Sequence, residues 1–169
     1  ADVRPWREGG TGGDASRPLQ PEEFPHRLEG GTPNVFGIAG LRAGLRWVLE
    51  RGPEAILAHE RRLLRGFLAA LKRADAFAWY GADRALLDRG GEGRVGLVAF
   101  NARGTPPQAI AAALDERFGI AVRPGLHCAP YAHRHLGTFP YGAVRISVGA
   151  LTRPEELEAA AAALDQLAG

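Results

Sequence analysis

Apolar positions along the chain first recur at helical spacing from Gly37 onward, where Ile38, Leu41, Leu45 and Val48 fall three and four residues apart. Gly52 interrupts this pattern, and Pro53 suits the first turn of a second helix. Ile56, Leu57, Leu63, Leu64, Phe67, Leu68 and Leu71 give that helix one apolar stripe, with Arg61, Arg62 and Lys72 among its polar positions. The period then shortens. FAWY at 77–80 and RVGLVAFN at 94–101 read as strands, the second preceded by a glycine turn at Gly90 and Gly91. TPPQAIAAALDERFG predicts a helix in which Thr105 caps, Gln108 completes a capping box and Gly119 stops the run. IAVR at 120–123 and AVRISV at 143–148 predict two more strands. TRPEE opens a terminal helix with Thr152 and Glu155 in the capping roles and Leu157, Ala161 and Leu164 on its apolar side. The order is helix, helix, strand, strand, helix, strand, strand, helix. It predicts an α+β fold with helices packed on one face of a small, mostly antiparallel sheet.

Residues 1–36 break every period. Six glycines and five prolines in that stretch leave an irregular segment that lies against something else rather than building its own core. The expected division is therefore an irregular segment, 1–36, and an α/β domain, 37–169.

Composition narrows the class. Hydrophobic residues make up 46% of 169, enough for a substantial core. No run approaches a membrane span, and the start ADVRPWREGG has no apolar signal stretch. The formal charge of +2 is spread along the chain, which gives no nucleic-acid footprint. One cysteine excludes an internal disulfide and fits a reducing, cytoplasmic setting. The chain has no methionine, so Ala1 is read as the start of a processed or truncated product.

Candidate chemistry gathers in a few places. Cys128 lies in RPGLHCAP, at the exit of a strand and beside His127 rather than inside an apolar run. A loop thiol is either a nucleophile or an inert surface group. Cys128, His133 and His135 make a poor metal set, because no second close Cys/His pair exists; histidines on a solvated turn are the better reading. In AVRISV, alternation puts Val144, Ile146 and Val148 on one face and Arg145 and Ser147 on the other. Arg145 either faces solvent or grips an anion, and its planar fork matches a carboxylate. REGGTGG at 7–13 is glycine-rich but lacks the ending of a phosphate loop. Thr32 in GGTPN precedes the first helix, as either a plain helix start or a phosphate contact.

These pieces occur together in one family. RLEGGTPNVFGIAGLRAGL, VGLVAFN, LDERFGIAVRPGLHCAPYAHRHLGTFPYGAVRISVG and TRPEELE resemble, in order and spacing, the C-terminal portion of cysteine desulfurases and other class V aminotransferases. The resemblance runs from about Trp6 to the end and is nearest to members whose cysteine loop continues AHRxLGT. It implies the small domain of a fold-type-I, pyridoxal-phosphate-dependent homodimer, preceded by the tail of the large domain. It implies removal of sulfur from L-cysteine, giving L-alanine and a persulfide that passes to an acceptor protein or small thiol. By resemblance Cys128 is the nucleophile and Arg145 holds the substrate carboxylate. Arg123 and His127 stand near the substrate in the cysteine loop. Thr32 reaches the cofactor phosphate of the neighbouring subunit, and Gly9, Gly10 and Thr11 border the partner's active site. The family's Schiff-base lysine has no counterpart: Lys72, the sole lysine, sits on an amphipathic helix with the wrong flanks. The chain alone is therefore expected to be inactive. The alternatives are a class V aminotransferase or lyase of the same fold, and a cofactor-free sulfur-carrier or partner-binding module.

Overall fold

The computed structural model describes residues 3–10, 16–81 and 93–168. The glycine turn expected at Gly90 and Gly91 lies outside the described residues. The chain divides into two compact units, Ala1–Glu50 and Arg51–Gly169.

In the first unit, the described residues before Val35 are irregular except for one 3-10 turn, His26–Leu28. The amide side chain of Gln20 organises this stretch. Its Oε1 accepts from the Gly9 N–H at 3.2 Å, and its Nε2 donates to the His26 carbonyl at 2.7 Å. Helix α1, Val35–Arg51, starts two residues earlier than the hydrophobic period suggests. Asn34 is its cap: Oδ1 accepts from the Gly37 N–H at 2.9 Å. No residue of α1 is buried, and its apolar stripe, Ile38, Leu41, Leu45 and Leu49, is exposed.

The second unit begins with Gly52 at φ 82°, a left-handed conformation that glycine adopts without steric cost, and Pro53 at the first position of α2, Pro53–Ala70. Four strands follow: β1, Phe77–Tyr80; β2, Leu97–Ala102; β3, Arg123–Gly125; and β4, Ala143–Ser147. They form one antiparallel sheet in the order β1-β2-β4-β3. Helix α3, Pro107–Phe118, joins β2 to β3; α4, Pro130–His135, joins β3 to β4; and α5, Pro154–Leu167, ends the chain.

The pleat sorts the strand residues as expected. Val98, Phe100, Val144 and Ile146 are buried against Leu64, Phe67, Leu114, Leu157 and Leu164 of the helices. Trp79 packs against Phe67, Phe77 and Phe100 with ring centroids 6.1, 5.9 and 5.1 Å away, and its Nε1 donates to the Ala74 carbonyl. The carboxylate of Asp165 on α5 accepts from the backbone N–H groups of Lys72 and Arg73, which pins the end of α2.

Four local expectations shift. The third strand is not IAVR at 120–123 but Arg123–Gly125, because Ile120 and Val122 turn toward the core before pairing begins. Thr105 does not cap α3; it bridges back to Ala102, and Pro106 stands at the cap. Gly119 does stop α3, at φ 66°. The cap of α5 falls one residue later than expected. The Glu156 side chain accepts from the Arg153 N–H at 2.8 Å, while Thr152 Oγ1 accepts from Gly149. Helix α4 has no counterpart in the sequence reading.

Candidate active site

Strand β4 places Arg145 on the sheet face opposite the helices. Its register partners are Ala99 on β2 and Arg123 on β3. Two guanidinium-bearing residues thus stand directly across an antiparallel pair, an arrangement that costs energy unless an anion or solvent offsets it. Among the described residues neither pairs with a carboxylate. The Nε of Arg145 is buried and has no hydrogen-bond partner. A buried N–H that finds no partner in the protein is a donor held ready for something else.

Beyond β3 the chain makes a turn from Leu126 to Ala129, closed by Ala129 N–H to the Leu126 carbonyl at 2.8 Å. Its two central residues, His127 and Cys128, have φ of 54° and 59°. Consecutive positive φ values suit Asn and Gly; on residues with a Cβ each costs about 1–2 kcal/mol. The turn leaves Cys128 exposed, with the Arg123 Nη2 donating to its Sγ at 3.4 Å.

The ring of His127 is anchored by Nε2, which donates to the Arg123 carbonyl at 2.9 Å. A carbonyl only accepts, so Nε2 carries the proton and Nδ1 keeps its lone pair. Burial is the largest influence on this imidazole, and the charges of Arg145 and Arg123 act the same way. Together they outweigh the carbonyl bond and hold the pKa below the ordinary 6.5. His127 is therefore neutral at pH 7. A close approach of two backbones brings the elements together: at Gly142, φ 81°, an added Cβ would strike the carbonyl of Gly125.

The structure thus gathers Cys128, Arg123, His127 and Arg145 into one neighbourhood. Thr32 and Gly10 lie in the first unit. Thr32 is exposed two residues before the Asn34 cap, and Gly10 is exposed in irregular chain. Thr11 lies outside the described residues. Lys72 is exposed just past α2, in the helical layer, so the sheet separates it from the face that carries Arg145. His133, expected on a solvated turn, is instead buried in α4, where its Nδ1 lies 2.7 Å from Oγ1 of the buried Thr138; sequence reasoning did not reach Thr138 or the pairing. Among the described residues no cluster of three or more His, Cys, Asp or Glu is arranged to hold a metal ion. No described helix is long and apolar enough to cross a membrane.

Residues 1–160 match the family model for aminotransferase class V. A probable cysteine desulfurase of Methanothermobacter thermautotrophicus is 31% identical over 149 residues, covering 88% of this chain and 35% of that protein. A cysteine desulfurase of Pectobacterium carotovorum is 34% identical over 145 residues, covering 86% and 33%. Among solved structures, the apo cysteine desulfurase of Thermococcus onnurineus superimposes with a TM-score of 0.71 at 34% identity, covering 88% of this chain and 35% of that one. The Escherichia coli cysteine desulfurase CsdA, in an S-sulfonic acid form, gives 0.72 at 27% identity, covering 96% and 38%. The chain spans about a third of the length of these relatives. With 160 residues matched by the family model and the α+β architecture shared with these structures, the chain belongs to the aminotransferase class V family.

Proposed function

We propose that the chain is the thiol-bearing part of a pyridoxal-phosphate-dependent cysteine desulfurase, acting on L-cysteine. The observation that carries this reading is the buried, partnerless Nε of Arg145 beside Arg123, whose own guanidinium donates to Cys128 Sγ. A clamp for a carboxylate and a cation for a thiolate are what an amino-acid substrate with a sulfur atom requires of this side of a site.

In this reading Arg145 binds the substrate carboxylate through its fork, and Arg123 holds the Cys128 thiolate. Neutral His127 lines the same space with an unprotonated Nδ1. Cys128 Sγ forms a bond to the substrate sulfur as the Cβ–S bond breaks. The carbon keeps the electron pair of that bond, takes a proton and leaves as L-alanine, while the sulfur stays on Cys128 as a persulfide. An acceptor thiol, on a protein or a small molecule, then attacks the outer sulfur and restores the Cys128 thiolate. The exposure of Cys128 suits that second exchange.

Pyridoxal phosphate, when bound, supplies the electron sink that lets the Cβ–S bond break. The residues present fit a share of its site. Thr32 and Gly10, both exposed, offer a hydroxyl and a backbone donor for its phosphate across a homodimer. The Schiff-base lysine does not fit any residue here, since Lys72 lies on the far side of the sheet. The chain by itself is therefore inactive, and the lysine comes from other polypeptide. The single thiol suits a cytoplasmic setting.

A chimaera tests the proposal. Residues 1–169 replace the matching third of the T. onnurineus enzyme, and alanine is assayed with L-cysteine. The chimaera should turn over and its Cys128→Ala variant should not. An aminotransferase or unrelated lyase would keep its turnover without Cys128. A cofactor-free sulfur carrier would show no alanine in any form yet take up sulfur from a persulfide donor.

A further inference from the structure

Something must hold His127 and Cys128 at their consecutive positive φ angles. The Ala129-to-Leu126 hydrogen bond does not, because turns of several kinds close with the same bond. The ring of His127 instead rests on the ring of His133, with centroids 5.2 Å apart and planes inclined by 59°. His133 is 4% exposed and Thr138 8%. Among the described residues they are the two buried polar side chains, and neither hydrogen-bonds to the thiol or to the two guanidinium groups.

Their bonds define the geometry. Thr138 Oγ1 donates its one proton to the His133 carbonyl at 3.3 Å, so toward the ring it accepts, at 2.7 Å, from Nδ1–H. His133 is thereby the Nδ1–H tautomer. His127 is the Nε2–H tautomer, set by the Arg123 carbonyl. The two rings meet with opposite tautomers, one tied to β3 and the other to the loop that leads into β4. An apolar side chain at 133 could fill the same volume but would not be fixed in rotation.

We propose that His133, clamped by Thr138, is a positioning residue for Cys128: it seats the His127 ring and so keeps the His127–Cys128 pair in the left-handed turn that sets Sγ beside Arg123. This rests on the reading of Cys128 as the reactive thiol. His133 acts only through His127. Without the clamp the turn relaxes, and Sγ loses its seat beside the Arg123 guanidinium.

The full chain has one thiol, so alkylation by iodoacetamide reads Cys128 alone. Thr138→Val keeps the shape and removes the hydroxyl; Thr138→Ser keeps the hydroxyl. T138V should slow alkylation about two- to tenfold, the population shift from losing one hydrogen bond of ordinary net strength, and T138S should react at the wild-type rate. Nitrogen-15 spectra of the histidine rings need no variant. In the wild type His133 should be protonated at Nδ1 and His127 at Nε2, and this measurement decides if T138V does not fold. A reactive thiol indifferent to T138V, or a His133 protonated at Nε2, would overturn the inference alone. A wild-type thiol inert to iodoacetamide would defeat the reading of Cys128 beneath it.

Discussion

Replacing Arg145 by methionine should make the fold more stable, although it removes the residue proposed to hold the substrate. Methionine keeps the unbranched stem that lies along β4 and removes the guanidinium. In the native protein the Nε of Arg145 is buried with no partner, which costs about 1–3 kcal/mol. The register places Arg123 directly opposite, and a like-charged cross-strand pair costs up to about 1 kcal/mol more. No carboxylate among the described residues offsets either cost. The expected gain is about 1–3 kcal/mol, a rise of several degrees in Tm for a domain of this size. Urea unfolding followed by tryptophan fluorescence measures it, since Trp79 is packed against Phe67 and Phe100 in the core. A loss of stability of 1 kcal/mol or more by the same estimate would mean that Arg145 is a structural residue with partners in the fold, and the anion clamp would fall with it.

Other perturbations follow from the same geometry. Phe100→Ala empties the centre of the aromatic cluster and should cost about 3–5 kcal/mol by urea denaturation. Asn34→Ala removes the cap of α1 and should lower the stability of that helix by about 1 kcal/mol, read by far-ultraviolet circular dichroism on heating. Gly142→Ala forces β4 away from the Gly125 carbonyl, so thiol alkylation as well as stability should change, whereas Cys128→Ala should leave stability unaltered because the thiol is exposed. The folded-state pKa of His127 lies below its unfolded value of 6.5, so the unfolded chain binds the proton more readily. The stabilising contribution of neutral His127 is present above pH 6.5 and is lost as pH falls through the folded pKa; His127→Gln should reduce the loss of stability between pH 7.5 and pH 5.

Much of the fold was legible because hydrophobic spacing reports burial directly. AVRISV alternates, and the structure buries Val144 and Ile146 while turning Arg145 to the other face. Gly119 and Pro53 mark helix ends through backbone conformation, which a single residue type reveals. The caps were less legible. Thr105 and Thr152 had the right chemistry, but local partners three residues earlier, Ala102 and Gly149, took them. The stripe of α1 was read correctly as helical, yet periodicity does not say what covers a stripe, and Ile38, Leu41 and Leu45 remain exposed. In the site, Cys128 and Arg145 stood out by residue type and position. Their neighbours did not. The opposition of Arg123 and Arg145 depends on strand register, and β3 begins where the expected strand ends. The left-handed turn falls on His127 and Cys128, neither of them the Gly or Asn that ordinarily marks such a turn in a sequence. The clamp of His133 and Thr138 requires helix α4, whose six residues are too few for a helical period to register.

The most direct test of the account is the mass of the Cys128 peptide from the chimaera after a single exposure to less than one equivalent of L-cysteine. The account predicts one added sulfur atom on Cys128, removable by a thiol reductant and matched by one alanine released. Alanine released in the same amount with Cys128 unmodified, and unchanged in the Cys128→Ala variant, would contradict it.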